Sequence, residues 1–301
     1  MEKLELGNKY IPAFKEKKRS SFYIGRTFTF ALLIMWGVFT VWPLYWMLTV
    51  ALSDPNAAGT LTFSLLPKEV TLDSFKTFFR LGQQTGPFNK DVFRWLFNSF
   101  LISSIVTLTN VIFASMTGYA FAKLKFPGKN TIFWTLMCTM MIPSQVTLIP
   151  LYILVLNVFD MGNTYAAIIL PAICTVGNVF LMKQYMSSSP TTLIEAARID
   201  ACSEFGIYRK VILPLAKPGL AVLAIFTFVA SWNDFFWPLL VTNTTSMRTI
   251  QVGLASFKFQ DSTQYGPMMA GAIVASIPMF VLFFSLQKYF LQGITIGAIK
   301  G

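Results

Sequence analysis

Long apolar stretches alternate with polar connections along the chain, at 28–52, 95–122, 131–154, 165–182, 218–240 and 267–286. Each is close to or beyond the ~20 residues a helix needs to cross the hydrocarbon core. The pattern predicts an all-α integral membrane protein with six transmembrane helices. Pro143, Pro150, Pro171 and Pro278 fall inside these stretches. Neighbouring helices can satisfy the backbone groups that proline frees, so kinked spans are expected. Segment 53–94 carries Asp-Pro, Pro-Lys and Gly-Pro breaks and reads as short irregular structure. The chain divides into an N-terminal segment 1–27, a first span 28–52, a loop 53–94, a core 95–290 and a tail 291–301.

Composition agrees, with 54% hydrophobic and 12% charged residues and a mean hydropathy of +0.59, against about 25% charged in soluble domains. The net charge of +11 is distributed as a topology signal. With the N-terminus inside, the inner connections hold seventeen Lys and Arg and the outer ones seven. Excess positive charge marks the cytoplasmic side. Both termini and the connection 187–217 are therefore expected in the cytoplasm, with 53–94 and 241–266 outside. The basic run 15–19 suits anionic headgroups rather than nucleic acid. The first 27 residues lack an early apolar core or a small-residue cleavage site, so no cleavable signal is expected.

Histidine is absent, which removes imidazole bases and ligands. Cys138, Cys174 and Cys202 are isolated, so neither a disulfide framework nor a metal site is expected. The chain has no G-x-x-x-x-G-K-[ST] loop to cradle a nucleotide phosphate, so any ATP-derived energy must come from another polypeptide.

The polar connection contains EAARIDACSEFGIYRKVILPLAKP at 195–218. Ser189-Pro190 offers an N-cap with proline at the first helical position, and Thr192-x-x-Glu195 an alternative capping box. Leu193, Ile194, Ala196, Ala197 and Ala201 give a small or apolar face, with the Glu195 charge at its rim. Ser203 can cap a second helix in which Phe205, Tyr208 and Ile212 share a face, ended by Leu213-Pro214. Two short helices joined by a turn are predicted. On the residues alone this is either a docking hairpin or an amphipathic surface hairpin without a partner.

Glu195-Ala196-Ala197-x-x-Asp200 followed by Leu213-Pro214 resembles the coupling loop, or EAA motif, of binding-protein-dependent ABC importer permeases. Other segments resemble the carbohydrate-uptake branch of that family, particularly its maltose-type smaller subunit: Gly118-Tyr119-Ala120-Phe121-Ala122-Lys123, Phe126-Pro127-Gly128-Lys129, Ser231-Trp232-Asn233-Asp234-Phe235 and the closing Gly297-Ala298-Ile299-Lys300-Gly301. The resemblance runs nearly full length. It implies the type I ABC importer permease fold in a prokaryotic cell membrane, multi-pass, importing a sugar or oligosaccharide. It implies as partners a homologous second permease, two ATP-binding subunits and an extracytoplasmic sugar-binding protein. ATP-Mg would sit on the partner subunits, and this chain would hold no cofactor and no catalytic residue. Glu195, Ala196, Ala197, Asp200, Gly206, Leu213 and Pro214 are the implied ATPase-coupling residues, and Lys300 and Gly301 an ATPase-interface tail. The family glycine after the aspartate is replaced by Ala201. That change either strains a left-handed turn or moves the turn, for which Gly206 is the candidate.

Asp234 is the only acidic residue within an expected span, about six residues or 9 Å from its outer end. Charges there face a cavity or a partner. With Trp232 and Asn233 it can line a sugar pathway, or it can brace a helix end near Pro238. Gln145 and Asn178 are weaker pathway candidates. The polar residues of the second span, from Asn98 through Asn110 to Thr117, read as helix packing. The outer segment Asn243-Thr244-Thr245-Ser246 reads as a flexible tip, and the resemblance makes it a binding-protein contact. An ion-coupled carrier or channel is the alternative reading, disfavoured by scarce intramembrane charge and the large polar hairpin.

Overall fold

In the computed structural model, residues 19–54, 66–67, 69–79, 92–257 and 265–298 are described, and every regular element among them is helical. The helix α1 is Arg19–Ala51, followed by α2 (Asp73–Phe79), α3 (Val92–Lys123), α4 (Lys129–Thr139) and α5 (Ser144–Ile153). Then come α6 (Tyr165–Ile169), α7 (Val176–Ser187), α8 (Thr191–Ile199), α9 (Glu204–Ile207), α10 (Leu213–Leu215) and α11 (Lys217–Trp232). The chain continues with α12 (Phe236–Val241), α13 (Ile250–Ala255) and α14 (Tyr265–Ala298).

The long helix α3 is the spine: α7 and α11 pack along it, and α14 packs on α11, α1 and α2. Small residues make these approaches possible. At Gly118 an added Cβ would stand 2.6 Å from Met182 Cβ and 2.9 Å from the Lys183 nitrogen. At Gly253 it would overlap the Trp95 ring. One apolar cluster joins Tyr119, Met182 and Met186 to Ile194, Ile207 and Ile212 at the hairpin end. Another, at the far end of α3, joins Phe78, Trp95, Trp232 and Ile250. A third gathers Ile102, Val106, Val155, Ile168 and Val241 between them. Outside the three clusters much apolar surface is open: Phe39 is 72% and Met141 82% exposed. Apolar surface on this scale suits lipid and partner helices, not water.

Four helical segments, Gly25–Ala51, Val92–Lys123, Tyr165–Ser187 and Tyr265–Gln287, are each long and apolar enough to cross a membrane. The third expected span is not one straight helix: α4 and the segment Ser144–Val158 meet at 93°. Pro143 lies at the break with extended backbone (ψ 133°), and α5 begins at the next residue. The fifth also departs from expectation. It runs from Lys217 only to Trp232, is bent 80° from the segment Glu204–Leu215, and is followed by the separate short α12. Among the described residues, length and composition allow four to six spans, the higher number if each bent pair counts as one.

At Pro171 a short 3-10 turn separates α6 from α7. Asn110 on α3 repairs the break: its Nδ2 donates to the Ala172 carbonyl at 2.6 Å and its Oδ1 accepts from the Thr175 N–H at 3.0 Å. A neighbouring side chain thus supplies the hydrogen bonds that the helix lacks.

Candidate coupling and pathway sites

The helix α8 starts without a side-chain cap. Pro190 stands at its N-cap position with φ −59° and ψ 127°, so neither Ser189 nor Thr192 caps it as expected. The Ser189 carbonyl instead accepts a 2.6 Å bond from Lys123 Nζ, which also reaches the Ser187 carbonyl at 3.2 Å. Only Ile194 and Ala197 of α8 turn inward; Glu195, Ala196 and Asp200 face out, and so does Ile199, at 85% exposure.

The turn after α8 sits at Ala201, φ 56°, and not at Gly206. Cys202 N–H bonds the Ala197 carbonyl and Ala201 N–H the Arg198 carbonyl, both at 3.0 Å. This pair of bonds is the left-handed helix stop that usually recruits glycine. Gly206 lies in the first turn of α9 and donates its N–H to Ser203 Oγ at 3.1 Å, which realises the Ser203 cap. Replacing Ala201 by glycine should raise thermal stability, measured by melting the solubilised chain. The relief of left-handed strain, less the extra entropy glycine loses, leaves about 0.5–1 kcal/mol.

From Glu204 the helix runs on through a wide π turn at Tyr208–Ile212 into α10. The π turn stands directly upstream of Pro214, which has no N–H to offer the preceding turn. Ile207, Tyr208 and Ile212 are buried, whereas Phe205, expected on the same face, is exposed with its ring 5.9 Å from that of Tyr208.

The hairpin is tied across its own turn and to α3. Arg198 Nε donates to Glu204 Oε1 at 2.8 Å, and Tyr119 Oη donates to Glu204 Oε2 at 3.0 Å. Ser115 Oγ and Tyr208 Oη share a 2.7 Å bond. The Arg198 guanidinium, with help from Tyr119, holds the Glu204 carboxyl below the usual carboxylate range. The stabilisation is therefore present above the ordinary carboxylate pKa and is lost as pH falls through the depressed one. The ties of Arg198, Glu204 and Tyr119 to one another escaped the sequence reading, and so did the bond that joins Ser115 to Tyr208. The signal available was the four-residue spacing of Ser115, Tyr119 and Lys123 along one face of α3.

A cavity of about 440 Å³ opens between α3, α7 and α11, its polar lining including Ser99, Asn178, Thr227, Ser231, Asp234 and Thr249. Asn178 Nδ2 donates to Asn110 Oδ1 at 2.9 Å and Thr227 Oγ1 at 3.0 Å. Asp234 lies in the break after α11, where its Oδ1 accepts from Trp237 N–H at 3.4 Å. It both faces the cavity and braces α12 ahead of Pro238. Thr249 Oγ1 is buried without a partner. The other pathway candidates stand elsewhere. Trp232 is 1% exposed, stacked on Phe228, with Nε1 donating to the Ala275 carbonyl at 3.1 Å. Asn233 Oδ1 accepts from Gln251 Nε2 at 3.4 Å, and Gln145 is exposed at the start of α5.

Nor is the segment 243–246 a free tip. Asn163 Oδ1 accepts from the backbone N–H groups of Asn243 and Thr244 and from Thr244 Oγ1, at 2.9–3.2 Å. Trp95 Nε1 bonds the Thr245 carbonyl and Asn98 Nδ2 the Ser246 carbonyl, both at 2.8 Å. Asn98 thereby takes the packing role expected of it. Lys300 and Gly301 lie outside the described residues.

Residues 110–296 match the family model described as binding-protein-dependent transport system inner membrane component. The arabinooligosaccharides transport system permease protein AraQ of Halalkalibacterium halodurans is 38% identical over 80% of this chain and 83% of its own length. The sn-glycerol-3-phosphate transport system permease protein UgpE of Salmonella typhi is 30% identical over 89% of this chain and 95% of its own. Among solved structures, a chain of a bacterial ABC transporter involved in the import of the acidic polysaccharide alginate superposes with TM-score 0.77 at 21% identity, covering 90% of this chain and 98% of that one.

Proposed function

The chain belongs to the binding-protein-dependent transport system inner membrane components, and from that premise we propose that it is the permease subunit of an ATP-driven sugar or oligosaccharide importer. It works with a homologous permease, two ATP-binding subunits and an extracytoplasmic binding protein. ATP-Mg stays on the partner subunits. The observation that carries the reading is the hairpin 187–217. It is braced against α3 by three side chains, yet it leaves Glu195, Ala196, Ile199 and Asp200 facing outward.

The excess of Lys and Arg in the inner connections supports a cytoplasmic hairpin with both termini on the same side. ATP binding closes the ATPase dimer and carries the docked hairpin with it. The displacement shifts the bundle from an inward-facing to an outward-facing state, and hydrolysis with product release resets it. Leu213 and Pro214 end the moving element, and Lys300 and Gly301 reach along the ATPase interface. The segment 243–246 meets the binding protein, and a sugar passes the Asp234 and Asn178 side of the bundle. Hydroxyl, amide and carboxylate groups on one cavity suit the hydroxyls of such a cargo.

The test is reconstitution of the four kinds of subunit in liposomes with an arabino-oligosaccharide as probe. Uptake should require ATP, the binding protein and the ATPase. Uptake that persists without the ATPase would identify an ion-coupled carrier or channel instead.

Asp234 separates its two duties by substitution. Asp234→Asn keeps an oxygen for Trp237 N–H and removes the charge, so uptake should fall about tenfold with the fold intact if the carboxylate meets cargo. Normal uptake in Asp234→Asn combined with loss in Asp234→Ala would leave only the bracing role.

A further inference from the structure

Ser115, Tyr119 and Lys123 lie on one face of α3, and each holds a different part of the hairpin. Lys123 takes the Ser187 and Ser189 carbonyls where α7 ends, Tyr119 takes Glu204 just past the turn, and Ser115 takes Tyr208 further on. The covalent connections of the hairpin are less direct. On one side the chain leaves helical geometry at Pro190, on the other it bends by 80° before α11, and α8 is further separated from α9 by the left-handed turn at Ala201. A force on α8 that travelled through the backbone would cross a swivel in either direction.

The short route runs through side chains. Arg198, in the last turn of α8, grips Glu204 Oε1, and Glu204 Oε2 receives the Tyr119 hydroxyl. Tyr119 is itself packed on Tyr208, with ring centroids 5.5 Å apart. From Tyr119 the same helix continues to Asn110 beside the cavity and to Asn98, which holds the Ser246 and Arg248 carbonyls. Lys123 and Asn98 are about 37 Å apart by helical rise, so α3 connects the hairpin to both the cavity and the opposite end of the bundle.

We propose that Arg198, Glu204 and Tyr119 are positioning residues that fix α8 to α3, so that displacement of α8 reaches the cavity through the second span. The inference rests on the hairpin being the element that the ATPase moves. Its distinct consequence is that breaking the relay leaves docking intact and lowers the number of sugars moved per ATP.

The complete transporter in liposomes tests this with Tyr119→Phe, which keeps the ring on Tyr208, and Glu204→Ala, which removes both acceptor oxygens. Each variant should retain the ATPase on purification while sugar moved per ATP hydrolysed falls roughly threefold to tenfold. Because both substitutions cut the same link, the double variant should be little worse than either single one. An unchanged ratio with the ATPase bound, or fully additive losses, would overturn the proposal. Failure of the unaltered chain to bind any ATPase would instead overturn the coupling reading beneath it. A second measurement does not depend on how well the variants couple. Tyr119→Cys and Glu204→Cys, in a chain with its three native cysteines replaced, are joined by a short bifunctional thiol reagent. If the hairpin stays fixed to α3 where Glu204 opens α9, the joined protein transports at least as well as the unjoined one through the cycle. Arrest on joining would show that the two elements must separate.

Discussion

Replacing Gly118 by valine should abolish coupled transport. An added Cβ at this position meets Met182 Cβ at 2.6 Å, the Lys183 nitrogen at 2.9 Å and the Met182 carbonyl carbon at 3.0 Å. Two of the three obstacles are backbone atoms of α7, so no rotamer change makes room and the helices must separate. Overpacking of a well-filled site costs about 1–3 kcal/mol, and a displaced helix backbone places this case at the upper end. The functional loss should exceed the stability loss. Gly118 adjoins Tyr119 on α3, and α7 delivers the Ser187 carbonyl that Lys123 holds. Once α7 is pushed away, the hairpin can no longer sit in its present register on α3. The measurement is uptake together with the melting temperature of the reconstituted transporter. Gly37→Val serves as the control, since an added Cβ there has nothing within 4 Å. Equal behaviour of the two variants would contradict the close α3–α7 crossing.

The apolar stretches announced the bundle, because membrane-crossing length is written directly in composition. Hydropathy does not record direction. The 93° corner at 140–143 and the interruption at 233–235 lie within sequence that is apolar on both sides, so they were folded into continuous spans. The hairpin was legible in its two helices, its Ser203 cap and its small residues. The details that failed were those decided by distant partners. Ser189 surrenders its carbonyl to Lys123, 66 residues away, and does not cap α8. Trp232, next to a polar pair in sequence, turns its ring into the core and its N–H to Ala275. Asn110 shows the limit most clearly. An amide in mid-span signals packing, but nothing local shows that it replaces the hydrogen bonds interrupted at Pro171. At Ala201 the sequence offered strain or relocation, and the chain takes strain. The two bonds that close α8 require a left-handed residue at that position whatever its side chain.

Charge reversal at Glu195 should have the largest effect on partnership and almost none on the hairpin itself. Glu195 is exposed on α8, and among the described residues no hydrogen bond or ion pair holds its carboxylate. Exposed substitutions away from such contacts usually change stability by no more than about 0.5 kcal/mol. Lysine is also a good helix former, so α8 should persist. At an interface the balance differs: a desolvated charge placed against its former partner costs about 2–5 kcal/mol, or roughly thirtyfold to several thousandfold in affinity. With α8 as the docking element, Glu195→Lys should therefore insert normally into the membrane and lose nearly all of the ATPase on purification. A reversed charge at the facing position of the ATPase should restore part of it. Arg198, three residues on, provides an internal check. Its bond to Glu204 loses the support of the Glu195 charge but is held directly at 2.8 Å, so it should survive the new positive neighbour. Full recovery of the ATPase with Glu195→Lys, the hairpin intact, would mean that the motor grips some other surface of this chain.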